Sequence, residues 1–148
     1  MIIRRLIFML ISVSSLTLSQ DINLNQLVVE AKKTNKQLLV YLHITGCDYC
    51  MRMQEFTFDD EQVKAAIKKD FIFVDINVRD EGLVSFDGFK VSKLLFAKES
   101  GYAMYLSCLF FDKNGELVYD AVGYRDENKF LQVLKTVSTK AYIDIEYE

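Results

Sequence analysis

An α/β sandwich of three layers, a mixed central sheet with helices on both faces, is the fold this sequence predicts. Three observations carry it. Two apolar runs, residues 38–42 and 71–78, read as buried strands, and the helix-compatible residues between them are long enough for a parallel crossover. Two later runs, residues 104–111 and 116–122, flank Asp112-Lys113-Asn114-Gly115, a turn sequence that joins antiparallel neighbours. Amphipathic stretches before, between and after these strands supply the covering helices.

Taken in order, Leu24, Leu27, Val28 and Ala31 recur at helical spacing over residues 23–34, with Asp21 or Asn23 as the N-cap. A strand over 37–43 follows, then a helix that begins at about Cys47 and runs to about Phe58. Asp59 or Asp60 caps a short helix through Lys69 with Val63, Ala66 and Ile67 on one face. The 71–78 run is β-branched and aromatic, as a buried strand requires. Residues 79–90, with Gly82 and Gly88, read as a loop or an irregular edge hairpin. A helix over 91–99 is closed by Gly101. In the turn that follows, Asn114 and Gly115 are expected in positive-φ positions. Gly123 then breaks the chain, Asp126 caps, and Phe130, Leu131, Leu134 and Val137 mark a last helix. The tail from Ser138 ends acidic, with Asp144, Glu146 and Glu148. No repeat, low-complexity segment or linker interrupts this order, which makes it one domain.

At 148 residues, with 51% hydrophobic and 13% aromatic residues, the chain is long and apolar enough for a real core, which argues against disorder. Residues 1–19 read as an address. Arg4 and Arg5 lead an apolar run over 6–18, and Thr17 and Ser19 are small residues before a cleavage point at Gln20. The run falls short of the roughly 20 residues of a comfortable membrane span, so it reads as a signal peptide, with an N-terminal anchor as the alternative. Residues 20–148 then form the exported domain, and with no cysteine at the cleavage point it is no lipoprotein. Without the leader, 16 basic residues face 21 acidic ones, a net charge of −5 that argues against nucleic acid or an anionic membrane as partner. Three cysteines are too few for a disulfide scaffold and leave one over.

The chemistry concentrates in residues 37–58, QLLVYLHITGCDYCMRMQEFTF. If a helix starts at about Cys47, Cys50 lies three residues on along the same face, close enough for the two sulfurs to bond. Cys47 then sits at the helix N-terminus, where unpaired N–H groups and the dipole favour a thiolate. Cys50, a turn further in, is shielded. An attacking thiol with a resolving thiol behind it is the minimum equipment for disulfide exchange. Asp48 between them opposes thiolate formation, which favours a reducing pair over an oxidising one. Tyr49 reads as an exposed ring beside the attacking sulfur.

The matching residues extend beyond the cysteines: LLVYLHITGCDYCMRM, FIFVDINV, LFFDKNGELV and the Gly-Tyr before the last helix. Over about residues 22–137 the chain resembles the thioredoxin superfamily. Within it the chain is most similar to exported sulfur-oxidation-type, SoxW-like thioredoxins, which share the strand–His–Gly–Cys–x–Tyr–Cys core, a loop such as Phe86-Asp87-Gly88-Phe89, and a late Gly-Tyr-Arg. The resemblance implies a thioredoxin-like sandwich and a periplasmic protein-disulfide reductase with no cofactor. Its substrates would be exported proteins or cytochrome c apoproteins, its electrons would come from a membrane thiol-electron donor, and it would act as a monomer.

Two positions depart from that family's pattern. Leu106 stands where the family has a cis-proline facing the cysteines, and Ser107 stands in the usual threonine place. A non-proline cis bond costs about 2.5–4 kcal/mol, so Tyr105–Leu106 is expected to be trans and the substrate-docking edge altered. Tyr41 occupies the place of a buried acid that accepts the resolving thiol's proton, and a phenol is a poor base near neutral pH. Asp75, alternating with Phe71 and Phe73, is the candidate replacement if it points toward Cys50; otherwise it is a solvated strand-end carboxylate. His43, the only histidine, is either a packed ring under the active-site loop or a group that tunes Cys47. Cys108, alternating with Leu106 and Phe110, reads as a small buried hydrophobe, or as a third thiol. Glu55 is a surface charge, and Met51 and Met53 are helix packing. A structural zinc needs four ligands, for which only Cys108 and His43 remain beside the pair. The competing function is soft-metal binding, with Cys47, Cys50 and His43 holding copper or zinc.

Overall fold

The structure, a computed structural model, describes residues 20–102 and 106–143. The elements are β1 (Ile22–Asn23), α1 (Leu24–Thr34), β2 (Gln37–His43), α2 (Asp48–Arg52), a π-helical turn (Met53–Thr57), α3 (Glu61–Asp70), β3 (Phe71–Asn77), β4 (Leu83–Phe86), β5 (Phe89–Ser92), α4 (Lys93–Glu99), β6 (Ser107–Phe111), β7 (Leu117–Val122) and α5 (Glu127–Ser138). The leader at residues 1–19, the start of the expected 104–111 strand, the Tyr105–Leu106 bond and the acidic tail from Asp144 lie outside the described residues. Among the described residues no helix is long and apolar enough to cross a membrane.

The main sheet runs β3-β2-β6-β7. β2 and β3 are parallel, as a crossover through α2 and α3 requires, and β6 is antiparallel to both β2 and β7. β2 sits inside the sheet and is covered on both faces, which explains its almost unbroken apolar sequence. Its side chains alternate between two cores. Leu39 and Tyr41 face Cys50, Met53, Val63, Phe130 and Leu134 from the cysteine helix, α3 and α5. Leu38, Val40 and Leu42 face Leu24, Val84, Phe96 and Ala97 from α1, β4 and α4. Helices thus lie on both sides of a mixed sheet, as the sequence predicts.

Several local expectations are corrected. Ile22–Asn23 forms a short strand parallel to β4, pairing with Val84 and Ser85, and with β5 these make a second three-stranded sheet. The edge hairpin extends to Ser92, so Val91 pairs with Val84 and α4 starts at Lys93, capped where Ser92 Oγ accepts the Leu95 N–H. In the β6–β7 turn only Gly115 has positive φ, at 89°. Asp112 rather than Asn114 organises that turn, its carboxylate accepting the N–H groups of Asn114 and Glu116 at 2.8 and 3.0 Å. The cysteine helix does not run evenly to Phe58. After Arg52 it widens into the π turn, closed by Phe58 N–H to Met53 O at 2.8 Å.

Candidate active site

β2 carries the chain to His43, and a short loop with Gly46 at φ 78° turns it into α2. Cys47 is the N-cap of that helix, in extended conformation, and its sulfur accepts the Cys50 N–H at 3.2 Å. A cysteine in the capping position thereby satisfies one of the orphan amides of the first turn. Cys47 and Cys50 are joined as a disulfide with Cα atoms 5.2 Å apart. Cys47 is half-buried, whereas Cys50 is 1% exposed. A partly exposed cysteine thus leads the helix and its partner is shielded one turn behind, as the spacing implies. Asp48 is exposed in the first turn, where a negative charge suits the helix dipole. Tyr49 is 60% exposed, its ring 6.3 Å from that of Tyr124, and the Arg52 guanidinium lies 4.9 Å from the Tyr124 centroid. This tyrosine–arginine stack beside the sulfurs escaped the sequence reading. Its only signal was the Gly-Tyr before the last helix, whose glycine N–H holds the Leu106 carbonyl at 2.8 Å.

The π turn anchors the back of the cysteine helix. It buries both Met53 and Thr57, and Thr57 Oγ1 donates to the Arg125 carbonyl at 2.6 Å. Beneath the cysteines, Tyr41 is fully buried and donates its hydroxyl to the Cys50 carbonyl at 3.2 Å. Burial raises the Tyr41 pKa well above that of a free phenol, reinforced by the neighbouring Cys108 and Asp75. It is a hydrogen-bond donor that ties helix to sheet.

Asp75 stands opposite Tyr41 in the β2–β3 register, on the same face of the sheet. The partner the structure gives it is His43: Nε2 and Oδ1 are 2.5 Å apart. Of the two readings of Asp75, the structure fits the solvated carboxylate: it lies on the outer strand against His43, with its side chain 46% exposed. His43 is packed, as the simpler reading expects, its ring stacked on Tyr41 at 4.9 Å and 12°. Next to this pair, Asn77 Nδ2 donates to Thr45 Oγ1 at 2.7 Å and fastens the loop before Cys47 to β3.

Leu106 and Ser107 lie where β6 begins, and both are buried. Leu106 belongs to the same cluster as Cys50, against which Cys47 also packs. Ser107 pairs with Leu42 on one side and Val122 on the other. Cys108, opposite Tyr41, is buried in that cluster, and burial pushes its thiol pKa far up, only partly countered by Arg125. It is the buried hydrophobe expected from the alternation.

Comparison with known proteins agrees with this geometry. A family profile described as a thioredoxin-like domain matches residues 24–138. No curated protein matches. Among solved structures, a thioredoxin from Thermus thermophilus is similar with a TM-score of 0.63 and 22% identity, over 82% of this chain and 89% of that one. A thioredoxin-fold protein from Helicobacter pylori is similar with a TM-score of 0.63 and 20% identity, over 80% and 86%. The C-terminal domain of DsbD from Neisseria meningitidis in its oxidised form follows with a TM-score of 0.57 and 16% identity, over 76% and 91%.

Proposed function

Because the chain belongs to the thioredoxin-like domain family, we propose that it is a thiol–disulfide oxidoreductase and that its pair, Cys47 and Cys50, reduces disulfides in other proteins. The observation that carries this reading is Cys47, only partly buried as a helix cap and bonded to a Cys50 that is 1% exposed. In the reduced pair, the Cys47 thiolate attacks one sulfur of a client disulfide. A mixed disulfide forms and the other client sulfur leaves as a thiolate. Cys50, losing its proton, then attacks the Cys47 sulfur and expels the second client thiolate. Two electrons pass to the client, its two thiolates take up protons, and the enzyme is left as the Cys47–Cys50 disulfide. A thiol donor closes the cycle. No metal or cofactor takes part.

The finer reading is a periplasmic, SoxW-like reductase, exported by residues 1–19, served by a membrane thiol-electron donor and acting on exported proteins. It is supported by the leader pattern, by the Asp48 charge between the cysteines and by the structural likeness to a DsbD domain. Tyr49 and Tyr124 offer rings against which a client segment docks, while Leu106 shapes the neighbouring edge. His43 and Asp75 support the β2 end beneath the loop.

Three measurements test the proposal. Reduction of an insulin-type disulfide substrate by the purified protein should be lost on Cys47→Ser, and Cys50→Ser should accumulate a mixed disulfide identifiable by mass spectrometry. Redox titration should place the couple nearer the about −270 mV of reducing thioredoxins than the about −120 mV of strong oxidants. No reversible couple, with metal near one per chain lost on Cys47→Ser, would replace this reading with soft-metal binding.

A further inference from the structure

β3 is an edge strand, and among the described residues nothing pairs with its outer side. In a parallel ladder alternate residues turn their amide groups to the neighbour. Val78 N–H donates to His43 O at 2.9 Å, so the even-numbered residues of this segment face β2. The N–H and C=O groups of Phe73 and Asp75 consequently point away from the sheet. Their neighbours on that side are engaged: Phe71 donates its N–H to Ile67 O, and the Asn77 carbonyl accepts from Asp80 at 3.1 Å. Of the usual protections of an edge, β3 carries one charged side chain, Asp75, but it has no proline and keeps an unbroken register with β2.

We propose that this edge pairs with β3 of a second copy of the chain, antiparallel about a twofold axis at Val74. That register sets Phe73 of each copy against Asp75 of the other, and both exchange N–H···O=C bonds. Moving the axis to Phe73 or to Asp75 leaves an open residue facing Phe71 or Asn77, whose groups are already used. Charge agrees with the same arrangement. At the start of β3, Lys36, Lys64 and Lys68 rim a groove of about 350 Å³ over Phe58 and Phe71. Asp59 and Glu61 hold Lys64, while Lys36 and Lys68 form no ion pair among the described residues. At the end of β3, just after Arg79, Asp80 and Glu81 line a cavity of about 810 Å³ beside Asp75 and Asn77; the buried Lys93 lines it too, the acids outnumber it, and neither Asp80 nor Glu81 forms an ion pair among the described residues. An antiparallel twofold lays the lysine end of each copy over the acidic end of the other, the self-complementarity that an isologous interface needs. The dimer does not rest on the redox reading, and it stands as the alternative to the expected monomer.

Sedimentation equilibrium over a range of concentrations, combined with residue-resolved amide exchange on the purified chain, tests the proposal. The expected result is a mass rising from one chain to two, with the Phe73 and Asp75 amides gaining protection in step. Added salt should weaken the dimer. Lys68→Glu or Asp80→Lys alone should weaken association by roughly tenfold, and the double variant should restore it, with disulfide exchange unchanged as the check on folding. A single chain at every concentration overturns the proposal. So does protection independent of concentration, which would mean that residues of the same chain, such as 1–19, cover the edge. Protection that appears only with a client peptide overturns it in favour of a client strand, and a dimer indifferent to both charge changes places the interface elsewhere.

Discussion

Tyr41 is the residue at which this chain parts most clearly from a conventional thiol–disulfide site. Where an acid would accept a proton, a buried phenol donates a hydrogen bond to the Cys50 carbonyl and stacks on His43. The candidate carboxylate on the sheet, Asp75, lies one strand out and is engaged by that same histidine. In the proposed exchange, the Cys50 proton would then pass to water or to the client, with the sheet supplying position. Cys108 shows the opposite limit of thiol chemistry. Burial holds it as a neutral thiol, so it stays inert through the neutral pH range although it packs in the cluster that contains Cys50. In the reduced native protein, iodoacetamide should modify Cys47 readily and Cys108 only after denaturation, as followed by peptide mass spectrometry. Native labelling of Cys108 at the Cys47 rate would show that the cluster opens.

Among the elements, α3 offers the simplest test of local design. Asp60 caps it twice, accepting the N–H groups of Gln62 and Val63 at 2.9 and 3.0 Å. Asp60→Ala should cost about 1 kcal/mol, read as a lower denaturant midpoint with an unchanged slope. This helix was legible in the sequence because its cap, its apolar face and its exit into Phe71 are all local. The same holds for β2, for the cysteine helix start and for α5, where Asp126 caps and Phe130, Leu134 and Val137 are buried. What could not be read depends on distant partners. Ile22 and Asn23 become a strand only because Val84 and Ser85 lie beside them. Val91 is apolar in either period, and only its pairing with Val84 decides for a strand. The His43–Asp75 contact spans the whole crossover and follows from the β2–β3 register, which no local pattern encodes. The π turn likewise depends on the fit of Met53 and Thr57 into a core built by other elements.

Across the whole molecule, one sheet separates two cores, and only one of them touches the sulfurs. Leu24, 0% exposed, belongs to the core of α1, β4 and α4; Phe130, also 0% exposed, belongs to the core that contains Cys50. Leu24→Ala should destabilise the fold by about 2–5 kcal/mol and Phe130→Ala by about 3–5 kcal/mol. The two should separate in function: Leu24→Ala leaves the redox midpoint and the exchange rate of the folded fraction unchanged, whereas Phe130→Ala shifts them. Redox titration beside thermal denaturation distinguishes the outcomes, and equal redox effects would mean that the sheet transmits strain between its faces. The division has a practical side as well. The β4–β5 reversal at Asp87 and Gly88, with φ values of 49° and 79°, is exposed, and Phe86 just before it packs against the core remote from the cysteines. A fluorophore, an affinity handle or a fused protein grafted onto that reversal would ride on the far side of the molecule, leaving its thiols free to work.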